Sequence, residues 1–256
     1  MQQTPASDTG QRDIQIPADF TGLFVATPSG RDELKGAYVR SLLRTQGLFM
    51  QLGLPLEYFL HVREGIIDRA RDHMTAAFMA SDCSHMLQID DDISWHPQDV
   101  VRLLTHARVH DIVMGIYRRK RQEIDYPVCW LQRNGEQIVP NAQTGCLEIE
   151  SGPGGFVLMT RRAIVEMQAA HPELRYITCR DFDAQRFALY SMMQDGTTRF
   201  GEDISFCRRW RALGGSIWAD PYIRLAHWGD AEFAGNPVEH LLRPATPAPL
   251  AQSGAA

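Results

Sequence analysis

The stretch His85-Met-Leu-Gln-Ile-Asp-Asp-Asp-Ile-Ser-Trp-His-Pro97 sets three carboxylates, Asp90, Asp91 and Asp92, directly behind the strand-like run His85 to Ile89. A strand that ends in Asp-x-Asp brings two carboxylates to the carboxyl edge of an open α/β sheet. Such sheets bind their ligands there, and two carboxylates can hold a hard divalent cation against a diphosphate. Asp90 and Asp92 are alternate residues, so an extended backbone puts them on one face and turns Asp91 away. The functional reading is contact of the pair with a metal ion and a ribose. The plain alternative is an acidic turn capping the helix that Pro97 opens. The expectation is an enzyme that handles a nucleotide-diphosphate donor.

Outward from this stretch, strand-like and helix-like patterns alternate. Gly22-Leu-Phe-Val-Ala26 precedes a helix over roughly 33–52, and Tyr58-Phe-Leu-His-Val62 precedes one over roughly 66–80. A helix from Pro97 and the run Asp111-Ile-Val-Met-Gly115 continue the series, and this β-α-β order predicts a parallel sheet. Beyond Tyr117 the chain turns irregular, with a basic run Arg118-Arg-Lys-Arg121, turn signals at Arg133-Asn-Gly135 and glycines at Gly152-Pro-Gly-Gly155. Helices are expected over roughly 161–170 and 203–213, the second closed by Gly214-Gly215, and strands at Ser216-Ile-Trp-Ala219 and Ile223-Arg-Leu-Ala-His227. The fold class is therefore α/β: a Rossmann-like, mostly parallel central sheet flanked by helices, with a mixed α+β C-terminal half. Residues 1–18 and 244–256 are poor in large apolar groups and are expected as disordered tails around one domain over 19–243.

The 256 residues are 44% hydrophobic, enough to bury a core, and the formal charge of -5 carries no global signal for nucleic acid or an anionic membrane. Five scattered cysteines with no Cys-x-x-Cys pair speak against a disulfide framework or a cysteine zinc site and fit a reducing cytoplasm. No segment reaches the roughly 18 apolar residues of a membrane span. The expected location is the cytoplasm, that of the host for a phage-encoded protein.

Further candidates lie downstream. Gly201-Glu202-Asp203 opens an amphipathic stretch, and a carboxylate at a helix N-terminus tends to stay ionised, which suits a general base; a simple Asp N-cap is the alternative. His227, before Trp228, ends a strand-like run where an imidazole can join Asp92 on a Mn²⁺-like ion, or serve structure alone. Gly154 and Gly155 permit close approach of backbone to a ligand, or a tight turn. Arg69 and Arg71 sit on the helix feeding the acidic strand, as phosphate contacts or a solvated face.

In this order the motifs resemble the GT-A class of nucleotide-sugar glycosyltransferases, of the family-2-like bacterial and phage type, over roughly residues 21–230. The matching pieces are Phe24-Val-Ala-Thr27-Pro28 as first strand and nucleotide loop, Arg69-Ala-Arg71, the Asp-x-Asp run, Gly152-Pro-Gly-Gly-Phe156, Gly201-Glu-Asp203 and His227. The resemblance implies nucleotide contacts from Thr27, Pro28, Arg69, Arg71, Asp90 and Asp91. It implies Mn²⁺ or Mg²⁺ on Asp90, Asp92 and His227, acceptor or sugar contacts from Gly154, Gly155, Trp228 and Arg118, and catalysis by Asp203 with Glu202. The donor is then a nucleotide sugar, UDP-sugar favoured, and an inverting transfer follows if Asp203 is the base.

The basic segment Arg118 to Arg121 is read as a clamp for donor phosphates, a seat for DNA carrying a hydroxymethylated base, or a solvated loop. The acceptor thus stays open between a glycan and modified DNA, and oligomeric state is not legible. Two rivals are weighed. A nucleotidyltransferase is expected to carry a glycine-rich, basic loop after the first strand, which Ala26-Thr-Pro-Ser-Gly-Arg31 matches only weakly. A non-catalytic nucleotide-sugar-binding protein keeps the fold without its carboxylates, whereas here Asp90, Asp92, Asp203 and His227 are all present.

Overall fold

A computed structural model describes residues 15–131, 139–178 and 181–241. The turn expected at Arg133 to Gly135, Cys179, the first 14 residues of the tail expected over 1–18 and the tail over 244–256 lie outside these residues. Chain packing is under way by Ile16, which lies against the core. The first half alternates as its patterns require: β1 (Leu23–Ser29), α1 (Gly36–Leu52), β2 (Leu56–Val62), α2 (Ile67–Ala80), β3 (His85–Ile89), β4 (Ile93–Ser94), α3 (Pro97–His106) and β5 (Ile112–Gly115). Then come β6 (Cys129–Trp130), β7 (Leu147–Ser151), β8 (Phe156–Thr160), α4 (Arg161–Ala170), β9 (Arg175–Thr178) and β10 (Asp181–Phe187). The chain closes with β11 (Gln194–Asp195), β12 (Thr198–Arg199), α5 (Glu202–Ala212), β13 (Ile217–Asp220), β14 (Ala226–Trp228), β15 (Glu232–Ala234) and α6 (Pro237–Leu241).

Eight strands form the central sheet in the order β2-β1-β3-β8-β5-β13-β7-β6. The pairings β1 with β2, β1 with β3 and β5 with β13 are parallel, while β8 and β7 run against their neighbours. The sheet is thus mostly parallel by strand direction, as expected. The neighbour of β3 is not β5, however, because β8 inserts between them, antiparallel to both. This departs from a simple run of crossovers and puts the glycines that precede Phe156 directly against the end of β3.

β3 is buried along its whole length, which is why it reads as a near-continuous apolar run. Met86 joins the core on one face with Phe24, Phe78, Met114 and Phe206. Leu87 and Ile89 join Tyr38, Phe49, Trp95 and Leu103 on the other. Gln88, the polar exception, accepts from Arg71 at 3.1 Å and donates to Tyr190 Oη at 2.7 Å, so burial leaves its amide satisfied.

Asp72 follows Arg71 on α2 and faces away from the acidic turn. It accepts from the Tyr190 N–H at 3.2 Å and the Tyr176 hydroxyl at 3.3 Å. Burial pushes its carboxyl up to about 7, with these hydrogen bonds pulling the other way. A carboxyl raised in the folded state keeps a proton that the unfolded chain has released between about pH 4 and about pH 7, so this group lowers stability as pH rises through that window. Wild type is therefore expected to lose urea resistance between pH 5 and pH 8 relative to Asp72→Asn. Parallel midpoints for the two proteins at both pH values are the contrary result.

Candidate active site at the acidic turn

β3 ends at Ile89, and Asp91 and Asp92 form a turn closed by the Ile93 N–H on the Asp90 carbonyl at 3.1 Å. The run is not extended, so the sharing of one strand face by Asp90 and Asp92 does not hold. Each of the three carboxylates takes a different surrounding. β4 pairs with β14 in a small three-stranded sheet, with Ile93 opposite His227, and the Trp228 N–H reaches the Asp92 carbonyl at 2.8 Å. That register brings His227, 135 residues later, against Asp92.

Asp90 belongs to a buried bracket. The Arg71 guanidinium, 3% exposed, donates to Asp90 Oδ1 at 3.1 Å, to Gln88 and to the Gly154 carbonyl at 2.9 Å, and lies 3.6 Å from Glu202 Oε1. It ties the acidic turn to the glycine turn and to the N-terminus of α5. Burial alone disfavours its charge, but Asp90, Tyr190 and Glu202 outweigh that and raise its pKa further. Burial raises the Glu202 carboxyl against the pull of Arg71. A side chain at Gly155 would collide with Asp90 Oδ2 and Tyr117 Oη, and one at Gly154 would meet the Arg71 guanidinium at 3.0 Å. The close approach these two glycines permit is therefore to the bracket itself.

Asp92 has the opposite character. Lys120 pairs with its Oδ2, and His227 Nε2 stands 3.3 Å from Oδ1, an oxygen buried with no hydrogen-bond partner. His227 Nδ1 lies 2.9 Å from the Arg118 carbonyl, which can only accept. That nitrogen therefore carries the proton, and in the neutral ring the Nε2 lone pair is turned toward Asp92. Two lone pairs facing each other across a buried gap suit a shared cation, so the donor set fits Mn²⁺ or Mg²⁺ on Asp92 and His227. Burial pushes the Asp92 carboxyl up, and pairing with the protonated form of His227 and with Lys120 outweighs this and holds it below the usual range, so a second proton on Nε2 and a cation compete for the same gap. Asp91 is raised by burial.

Two clefts meet at this pair. One, of about 540 Å³, runs between the loop after β1 and β14, lined by Gly30, Lys35, Asp91, Asp92, Lys120 and Trp228 among others. The other, of about 610 Å³, includes Tyr117, Lys120, Tyr126, Asp203 and His227. Lys120 borders both, and each has the size of a small-molecule site.

The remaining sequence candidates divide. Asp203 sits in the first turn of α5, where its Oδ1 accepts the Ile204 N–H at 2.7 Å. Trp228 borders the first cleft and donates Nε1–H to Ser94 at 2.8 Å. Thr27 and Pro28 lie within β1, not in a loop; Thr27 is fully buried with its hydroxyl 2.6 Å from Tyr38 Oη, and the loop begins at Gly30. Arg69 turns to Glu64 at 3.3 Å. Arg118 spends its guanidinium on the carbonyls of Ala234, Arg121 and Gln122. Arg119 and Arg121 both pair with Asp125, at 3.1 and 3.0 Å. The basic run is thus partnered within the chain. Tyr117 had no sequence motif, yet its hydroxyl accepts the Gly155 N–H at 3.1 Å and its ring lies edge-on to His227 at 5.0 Å.

Among known proteins, the chain matches no family model and no curated sequence. It does match solved structures. A197 from STIV is similar at a TM-score of 0.53 and 15% identity, over 84% of this chain and 90% of that one. GalNAc-T7 with UDP, GalNAc and Mn²⁺ is similar at a TM-score of 0.50 and 11% identity, over 81% of this chain and 43% of that one. At such identities the likeness shows a GT-A-like α/β fold. Among the described residues no helix is long and apolar enough to cross a membrane.

Proposed function

We propose that the protein is a metal-dependent glycosyltransferase that moves a sugar from a nucleotide-diphosphate sugar to an acceptor hydroxyl with inversion. The observation that supports this most is the Asp92 oxygen without a donor, facing His227 Nε2 where two ligand-sized clefts meet. Mn²⁺ or Mg²⁺ held by Asp92 and His227 would neutralise charge building on the leaving diphosphate. The cleft beside the β1 loop takes the donor, with the Asp91 carboxylate and Lys35 among its walls. Lys120, on the border, gives a cation to the donor phosphates. The cleft that contains Asp203 takes the acceptor, and Asp203 removes the proton from the attacking hydroxyl. Arg71 holds Asp90 and Glu202 in place without touching substrate. The GT-A-like likeness to GalNAc-T7, solved with UDP, makes UDP-sugars the first donors to test.

A glycan is the acceptor we favour, because the basic neighbours of the second cleft, Arg119 and Arg121, are already paired with Asp125. The test is release of nucleoside diphosphate from a panel of UDP-sugars with Mn²⁺ and a mixture of oligosaccharide acceptors, against the same mixture in EDTA. Metal-dependent release supports the reading; release unchanged by EDTA, or none with any donor, opposes it. Lys120→Met removes the ammonium that now neutralises Asp92. It is expected to tighten Mn²⁺ binding by roughly fivefold, the scale of an exposed ion pair, while loosening UDP. Titration calorimetry of each ligand checks both signs.

A further inference from the structure

The acidic turn leaves a second group of ligand side chains unused, at the edge of the sheet formed by β2. We infer that His61, Glu64 and His73 form a separate metal site, selective for Zn²⁺, that clips the end of β2 to α2. His61 is near the end of β2, Glu64 lies in the connection and His73 lies in the second turn of α2. One ligand atom from each lies within 4.8 Å of the other two. His61 Nε2 and His73 Nδ1 are 3.1 Å apart, with the rings at 76°. Two nitrogens bound to one tetrahedral zinc at 2.0–2.1 Å stand about 3.4 Å apart, so the spacing is near that of a ligand pair and a turn of the rings brings both lone pairs onto one ion. A hydrogen bond between the rings accounts for that distance by itself. It does not account for the carboxylate beside them, within 4.8 Å of both ligand nitrogens.

Glu64 has capacity to spare. Its Oε1 accepts the Ile66 N–H at 3.2 Å and its Oε2 meets Arg69 at 3.3 Å, leaving lone pairs on both oxygens. The ring of His61 is steadied by stacking on Phe59. Two imidazoles and one carboxylate suit Zn²⁺, whereas Mn²⁺ and Mg²⁺ favour donor sets richer in oxygen. The site is independent of the glycosyl-transfer reading. Its structural consequence is local: α2 also carries Arg71, two residues before His73, so the clip steadies the helix that brackets Asp90.

The test is titration of the untagged, full-length, EDTA-stripped protein with Zn²⁺ by calorimetry, and with Co²⁺ by visible absorption. The expected result is one equivalent bound with a Kd of about a micromolar or tighter, counted in Asp92→Asn as well as wild type so that zinc taken by the Asp92 and His227 pair is set apart. The double variant His61→Ala/His73→Ala is expected to lose about 100-fold, Glu64→Gln about tenfold, and Asp92→Asn nothing. Unchanged circular dichroism in Glu64→Gln separates loss of a ligand from loss of fold. Zn²⁺ binding only in the millimolar range, binding kept by the double variant, or binding lost in Asp92→Asn overturns the assignment.

Discussion

Asp203→Asn is expected to keep donor binding and lose turnover by roughly 10² to 10⁴-fold, the range a positioned general base contributes. Asparagine has the shape of aspartate, and its carbonyl oxygen can still accept the Ile204 N–H now held at 2.7 Å, so the start of α5 is preserved. Arg71 reaches Glu202, not Asp203, so the bracket around Asp90 is untouched. What disappears is a basic oxygen in the acceptor cleft. Rapid-quench turnover set beside donor titration separates the two effects. Loss of donor affinity in this variant defeats the division of roles, and undiminished turnover points to another base or to a retaining route.

The second large effect is expected at Asp92. In Asp92→Asn the negative charge facing His227 Nε2 is gone, and the amide offers a weaker ligand. Metal-dependent donor affinity is expected to fall by about 10- to 100-fold or more, with the residual binding no longer sensitive to EDTA. The buried Oδ1 has no hydrogen-bond partner to lose, and Lys120 is on the surface side, so the fold is expected to survive. Equal donor affinity for wild type and variant in Mn²⁺ is the contrary result.

The alternation of patterns up to Tyr117 marked the first-half strands and helices, because β1, β3 and β5 are buried throughout and the edge strand β2 is still rich in β-formers. The insertion of β8 between β3 and β5 left no local trace, since neighbouring strands in space need not be neighbours in sequence. The Asp-x-Asp run was visible, but its turn was not: period-two reasoning applies only while the strand continues, and β3 stops at Ile89. His227 was legible as a candidate, while the β4–β14 register that carries it to Asp92 is a tertiary event. Arg71 was taken for a phosphate contact and proves to be a buried bracket, a distinction set by burial, which a helix surface pattern does not report. Tyr117 and Lys120 act through position alone. Lys120 stood in a charge run that reads the same whether its members face water or one another.

A cation shared by Asp92 and His227 is tested most directly by calorimetric titration of UDP into the purified protein with Mn²⁺ and again with EDTA, for wild type and Asp92→Asn. Wild type is expected to bind UDP in Mn²⁺ and to weaken at least tenfold in EDTA, and the substitution is expected to cause the same weakening even with Mn²⁺ present. Binding that ignores both the metal and the substitution would contradict a cation held by Asp92 and His227.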